Sequence, residues 1–442
     1  MIFVIKNVII LFFNLTFKTL FAKITTFLIT IVLLSSCSSY SHKEDTKLVI
    51  MALNNDNPAI ALQVLESQDA DKDNVVLENL HRGLLLHRLK KYKQSNKAFE
   101  IAKNKMTSLY GASISDQFKA SIINDSYIEY AGDKYEQLIV HGFQILNYLF
   151  MNDVSGARVE VLQANTKMNK WGKPKSGTDG YLWIHYLSGV VYEINNEDDS
   201  AIISYRKAYR IAQSQNKVNR AIYEPYIKLS YKLGFKNEYN KLSKLHNFNY
   251  DKNIKQETLL IFFNGTAPVK KEHRLLRYSN NLNKNVGIVL PFYPKLNNSL
   301  IGHNKQSMII ENNINHTTKT QQIESIEVLA RSALQKNMPT MITRSLIRQV
   351  AKYQIISQAD ADNKNSLLLG IIARITSHVT ERADTRSWFS LPNEIQIARS
   401  PIDKQAKTVR IKSVGFTMKP IILKIKSKKA IIPITIFSSS KK

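Results

Sequence analysis

The stretch Gly83-Leu84-Leu85-Leu86-His87-Arg88-Leu89-Lys90-Lys91-Tyr92-Lys93-Gln94-Ser95-Asn96-Lys97-Ala98-Phe99-Glu100-Ile101-Ala102 decides how the first half of the chain is read. Gly83, Leu86, Tyr92, Phe99 and Ala102 fall at offsets 0, 3, 9, 16 and 19. A later stretch puts Gly189, Tyr192, Ala201, Tyr205 and Ala208 at 0, 3, 12, 16 and 19, so four of five offsets recur. Steps of three and four keep these side chains on one helix face. The small residue lets paired helices approach, and the aromatic ones fill the space against the next pair. All of them are therefore expected in the core. A weaker unit has Tyr148, Ala157, Val161 and Ala164 at the same relative positions, with Ile145 where the glycine would be, and Ala61 and Leu65 close a partial first unit.

This spacing resembles the tetratricopeptide repeat. From residue 47 to residue 253 glycine and proline are few and apolar residues recur at helical spacing, so the region is expected to be an α-solenoid of tetratricopeptide type. Between Tyr148 and Tyr192 the repeat is lengthened. The extra residues fall in Thr166 to Gly180, which contains Gly172, Pro174 and Gly177 and reads as an inserted loop. Tyr223 to His246 reads as a last helical pair.

The pattern changes near Gln256. Apolar runs closed by turn signals read as strands at 259–263 and 286–290. Helices are expected over about 324–382. One has Ile326, Leu329, Ala333 and Leu334 on its apolar face, and a second opens at Pro339 with Ile342, Leu346 and Val350 facing inward. A third, Leu367 to Ala373, is apolar all round and too short to cross a bilayer. Strands over 395–437 follow, the makings of a small antiparallel sheet. The fold expected is an α-helical repeat domain, 47–253, followed by an α+β domain, 256–442, ending in that sheet. A chain of 442 residues exceeds what one core usually serves, in keeping with two domains.

Ahead of the repeats, Lys18 and Lys23 precede the uncharged apolar segment Ile24 to Leu34, and Leu34-Ser35-Ser36-Cys37 then resembles a bacterial lipobox. Residues 1–36 read as a lipoprotein signal peptide, Cys37 as the acylated first residue of the mature chain, and 37–46 as a lipidated tether. The competing readings are a membrane span, which wants about 20 apolar residues, and a free or intermolecularly paired thiol. Ser38 and Ser39 follow with no Asp in the second mature position, which implies the periplasmic face of the outer membrane. The chain has one cysteine, so no internal disulfide or thiolate metal site is available.

A formal net charge of +27 suggests an anionic partner. Export argues against nucleic acid and leaves lipid headgroups, wall polymers and acidic proteins. An AT-rich genome, which favours Lys, Asn and Ile together, would give the same composition without a selected surface.

Three polar clusters are candidate binding sites. Arg344, Arg348 and Lys352 follow i+4 spacing, and Lys270, Lys271, His273, Arg274 and Arg277 crowd after Pro268; each is either a solvated face or a contact for phosphate or carboxylate. In Glu381-Arg382-Ala383-Asp384-Thr385-Arg386-Ser387-Trp388, Arg386 pairs with Asp384 or Glu381 while Trp388 closes the core beneath them. The functional alternative makes Arg386 an anion contact and Trp388 an aromatic platform.

With Leu391-Pro392-Asn393-Glu394-Ile395-Gln396-Ile397-Ala398-Arg399 and Asn264-Gly265-Thr266-Ala267-Pro268-Val269-Lys270, this run resembles an uncharacterised family of Gram-negative lipoproteins with N-terminal tetratricopeptide-like repeats. The resemblance covers most of 45–415, and its motifs carry no catalytic role. It implies work on wall synthesis or envelope assembly. Metalloprotease histidine spacing, the Gly-x-Ser-x-Gly elbow and a phosphate-cradling glycine loop do not occur, so no catalytic residue, metal ligand or cofactor is assigned. The function expected is an outer-membrane-anchored scaffold whose concave solenoid face holds a segment of an envelope protein while the C-terminal domain docks a second. The alternatives are direct binding of an anionic envelope polymer or lipid, and a wall-acting hydrolase or transferase.

Overall fold

The computed structural model describes residues 46–67, 72–111, 129–172, 180–254, 256–279, 284–294, 306–312, 317–361, 382–402, 408–425 and 431–438. Cys37 and Leu367 to Ala373 lie outside the described residues. The first part of the chain is helical and the last part contains the sheets. Helices run α1 (46–54), α2 (Pro58–Glu66), α3 (Val75–Arg88), α4 (Tyr92–Gly111), α5 (Lys134–Phe150), α6 (Val154–Trp171), α7 (Tyr181–Ile194), α8 (Asp198–Ser214), α9 (Arg220–Lys232) and α10 (Lys236–His246). Thr46, expected as the last residue of a tether, is helical. Likewise α6 continues to Trp171, so the first residues of the loop expected from Thr166 are helical, and 173–179 lie outside the described residues.

These helices form consecutive pairs, and each pair is closed by the same turn. One residue in the left-handed region ends the first helix: Asp56 (φ 54°), Lys90 (59°), Asn152 (60°), Asn196 (59°) or Gly234 (76°). The following N–H reaches back to a carbonyl of the last turn, Asn57 to Ala52, Lys91 to Leu86, Asp153 to Tyr148, Glu197 to Tyr192 and Phe235 to Ser230, at 2.8–2.9 Å. That is the Schellman closure.

Measured from this residue, the sequence pattern falls into register. Gly83, Ile145 and Gly189 stand seven residues before it, Phe99, Val161 and Tyr205 nine after, and Ala102, Ala164 and Ala208 twelve after. Ala61, Ala157 and Ala201 share the fifth position. Contact dictates the two glycines: a Cβ on Gly83 would lie 2.5 Å from Phe99 Cε1, and one on Gly189 2.6 Å from Tyr205 Cε1. Of the repeat residues, Tyr92 and Tyr148 are half-buried and the others are buried.

The strands are β1 (Glu257–Asn264), β2 (Lys271–Ser279), β3 (Lys284–Phe292), β4 (Ser307–Asn312), β5 (Thr317–Lys319), β6 (Gln321–Ser325), β7 (Glu394–Pro401), β8 (Thr408–Val414), β9 (Ile421–Lys424) and β10 (Ile431–Phe437). The expected strands are present, but they do not make one antiparallel sheet. One sheet runs β10-β1-β7-β6, with β10 parallel to β1, and a second runs β5-β4-β8-β9, antiparallel throughout. β2 and β3 form a separate antiparallel hairpin.

β1 is buried along its whole length because both faces of its sheet are covered. Leu259, Ile261, Phe263, Ile395, Ile397 and Ile431 share a core with α3 to α9, while Leu260, Phe262 and Ala398 pack on Met308, Ile310, Val409 and Ile411 of the second sheet. The order of layers is therefore helices, sheet, sheet. The first helices of the pairs, α5, α7 and α9, lie on the sheet. The side of these helices that faces the sheet is thus covered by the protein's own strands.

α11 (Ile326–Ala361) corrects the expectation of separate helices, since it passes through Pro339 unbroken. Proline in a helix interior costs about 3 kcal/mol, offset here by the anchoring of Ile326, Leu329, Ala330 and Leu334 in the core. The helical phase therefore carries over. Met338, Met341, Ser345 and Arg348 continue the inward stripe, whereas Leu346 is 45% exposed. Of the expected inward face of Ile342, Leu346 and Val350, Leu346 is therefore turned outward and Ile342 is half-buried, while the side chain of Val350 lies outside the described residues. Upstream, residues 321–325 are strand β6, so the helix begins two residues later than 324. No helix among the described residues is long and apolar enough to cross a membrane.

Candidate functional site

The motif residues converge at the start of α5. Asp133 caps this helix and Glu136, three positions on, folds back so that Oε2 accepts the Asp133 N–H at 2.8 Å. The same oxygen accepts from Tyr130 Oη at 2.6 Å, and Oε1 from the Trp388 N–H at 3.2 Å and Tyr135 Oη at 3.4 Å. Burial, reinforced by the Asp133 carboxylate, pushes Glu136 up to about 7.

Arg386 lies against this group. Its Nε and Nη2 grip Asp384 at 2.9 and 2.8 Å, Nη1 reaches Asn74 Oδ1 at 3.0 Å, and the guanidinium sits 5.7 Å from the Tyr130 ring centre. Asn337 of α11 donates to Asp133 at 3.3 Å. Burial raises Asp133, Lys270 opposes that and Asp384 adds to it, so both of these motif charges act on one carboxyl. Trp388 is 1% exposed and packs on Phe99 and Phe143 with ring centres 6.0 and 6.3 Å away. It fills the core and offers no platform to solvent.

A second charge cluster fastens the sheet to the helices. Arg399 of β7 donates from Nη2 to Glu193 Oε2 of α7 at 3.1 Å and to Glu257 Oε2 of β1 at 2.7 Å, and Lys228 of α9 bridges both carboxylates at 2.8 Å. Burial alone would raise Glu193, but Arg399 and Lys228 more than offset it and hold it at about 2. Within the helices, Lys103 Nζ lies 2.9 Å from Glu160 Oε1, and Glu160 Oε2 meets His141 Nδ1 at 2.8 Å. These sets match cation to carboxylate across elements far apart in sequence. They clamp layers together, and Glu136 already accepts four hydrogen bonds.

The remaining predicted cations divide by exposure. Arg348 is buried and Arg344 half-buried on α11, so neither lies on a solvated stripe; the side chain of Lys352 is outside the described residues. Lys271 and Arg274 are exposed on β2 beside His273, Leu275 and Leu276. Lys270, Lys271 and Arg274 thus belong to two places: Lys270 faces the α5 corner, while the others sit on the hairpin. Among the described residues no group of three or more His, Cys, Asp or Glu could hold a metal ion.

Sequence reasoning missed Glu136 and the Arg399 partners Glu193 and Glu257. Glu136 had a signal, Asp133-x-x-Glu136 ahead of an apolar run, the mark of a helix start. Arg399 had none, because Glu193 stands 206 positions away. No family model matches the chain, and no curated protein matches it significantly.

Proposed function

We propose that the protein is a protein-binding scaffold of the bacterial envelope, held by lipid on Cys37 at the periplasmic face of the outer membrane and working in envelope or wall assembly. The observation that carries this reading is where the polar motif residues go. Asp384, Arg386, Trp388 and Arg399 are engaged in holding the layers together, which suits a rigid body that presents a surface more than one that turns over a substrate. The repeated helical pairs, with one turn in register, fit a tetratricopeptide-like array whose inner face is occupied by the chain's own sheet. Binding then falls to surfaces other than that inner face.

A second reading, direct contact with an anionic polymer or lipid, draws on the +27 formal charge. Crosslinking in intact cells, followed by identification of the attached proteins, tests the first. Recurrent capture of the same envelope protein is expected, and capture of none above background contradicts the scaffold. Binding to purified wall that falls steeply with salt would favour the second.

A further inference from the structure

The protein-binding reading, on which this inference rests, leaves open which surface binds. Sheet edges present rows of N–H and C=O groups, and folded chains blunt them by shortness, proline, bulges or charge. Four edge strands here are blunted in the first three ways. β10 carries Pro433, β5 spans three residues and β9 four, and β6 loses register between Gln322 and Glu324. β2 has none of these. It is the outer strand of its hairpin, nine residues long, with pairs from Lys271↔Phe292 to Ser279↔Lys284 in unbroken register. At roughly 3.3 Å per residue that edge is about 30 Å long.

The hairpin is also held in place. Val289, Leu290 and Pro291 of β3 are buried, and Arg331 of α11 donates to the Tyr293 and Pro294 carbonyls at 2.9 and 2.6 Å. A strand presented this way needs little further ordering to bind.

We propose that the outer edge of β2 accepts an extended acidic segment of a partner protein as a third strand. Alternation places Lys271, His273 and Leu275 on one face and Glu272, Arg274 and Leu276 on the other. Leu275 is 39% and Leu276 70% exposed. A third strand covers both at once, one from each face, whereas a flat lipid surface reaches one face at a time. Exposed Lys271 and Arg274 against the single acid Glu272 favour an acidic strand, because opposite charges favour cross-strand pairing and like charges oppose it. The same rule disfavours pairing between two copies of β2. Main-chain hydrogen bonds would supply affinity, and the alternating side chains the choice of partner.

A random nonamer library displayed on phage, selected on the full-length protein in detergent, tests this. Selected peptides should alternate Asp or Glu with apolar residues and lack internal proline. The Lys271→Glu, Arg274→Glu double variant, checked for folding by circular dichroism, should bind them at least roughly tenfold more weakly. In cells, a photo-crosslinking residue replacing Leu276 should join a segment of that acidic kind, and one replacing Ile203 on α8, 49% exposed, should not. No selected peptide, peptides with helical spacing, or peptides indifferent to charge reversal would overturn the inference. Crosslinking of an envelope protein from Ile203 alone would overturn it while leaving the scaffold reading intact, and crosslinking from neither position would sink both. Binding of anionic phospholipid vesicles that charge reversal abolishes, without peptide selection, would assign the hairpin to a lipid surface instead.

Discussion

At the scale of residues, small side chains and charges hold the layers. Gly83 and Gly189 are set by Phe99 and Tyr205, rigid rings whose atoms would lie 2.5 and 2.6 Å from an added Cβ. Gly189→Ala should therefore destabilise the protein by ~1–3 kcal/mol through overpacking, measured as a lower urea midpoint at unchanged m; an unchanged midpoint would mean the pair separates freely. Arg399→Met removes the cation shared by Glu193 and Glu257 and leaves Lys228 alone between two buried carboxylates. A loss of about 3–5 kcal/mol is expected by the same measurement. The repeat glycines were legible in sequence because their spacing repeats. The Arg399 cluster was not, because nothing local marks a residue whose partners lie on another layer.

At the scale of elements, legibility followed periodicity. The helical pairs carry theirs in the Gly, aromatic and Ala positions, and each closing turn keeps the register even where Ile145 replaces glycine. β1 and β3 could be read as apolar runs. β2, Lys-Glu-His-Arg-Leu-Leu-Arg-Tyr-Ser, is an outer strand of mixed polarity and looked like a basic cluster. The parallel pairing of β1 with β10 leaves no sequence mark at all. The outward turn of Leu346 is not legible, because Pro339 reads in sequence as a helix start and α11 runs through it. Its true stripe makes a prediction: Met341→Asp should destabilise the fold by ~2 kcal/mol or more, as an acid forced against the core, while Leu346→Asp should change it by less than about 0.5 kcal/mol. Equal effects in thermal unfolding would contradict the assigned phase.

At the scale of the whole molecule, the helices and the sheet share one core, and buried ionisable groups sit inside it. Burial raises Glu324, at 2% exposure, to about 7, against Lys217 and backbone donors that favour the ion. A carboxyl raised in the folded state contributes stability that is present below its unfolded pKa, about 4.5, and is lost as pH rises through 7. Glu324→Gln should thus gain on the native protein between pH 5 and pH 8, by up to ~3 kcal/mol at about 1.4 kcal/mol per pH unit. Denaturant midpoints at the two pH values decide it, and a constant difference would mean that Glu324 does not titrate in this window.

The central claim is a division of labour: the polar motif residues fasten the layers, and the hairpin edge meets the partner. In-cell crosslinking yield per folded molecule, compared between Arg386→Ala and the Lys271→Glu, Arg274→Glu double variant, tests it most directly. Arg386→Ala should lower the melting temperature yet keep the native yield. The double variant should melt like the native protein and lose most of its crosslinking. The reverse pattern, with yield lost on removing Arg386 and kept on reversing the hairpin charges, would contradict the claim.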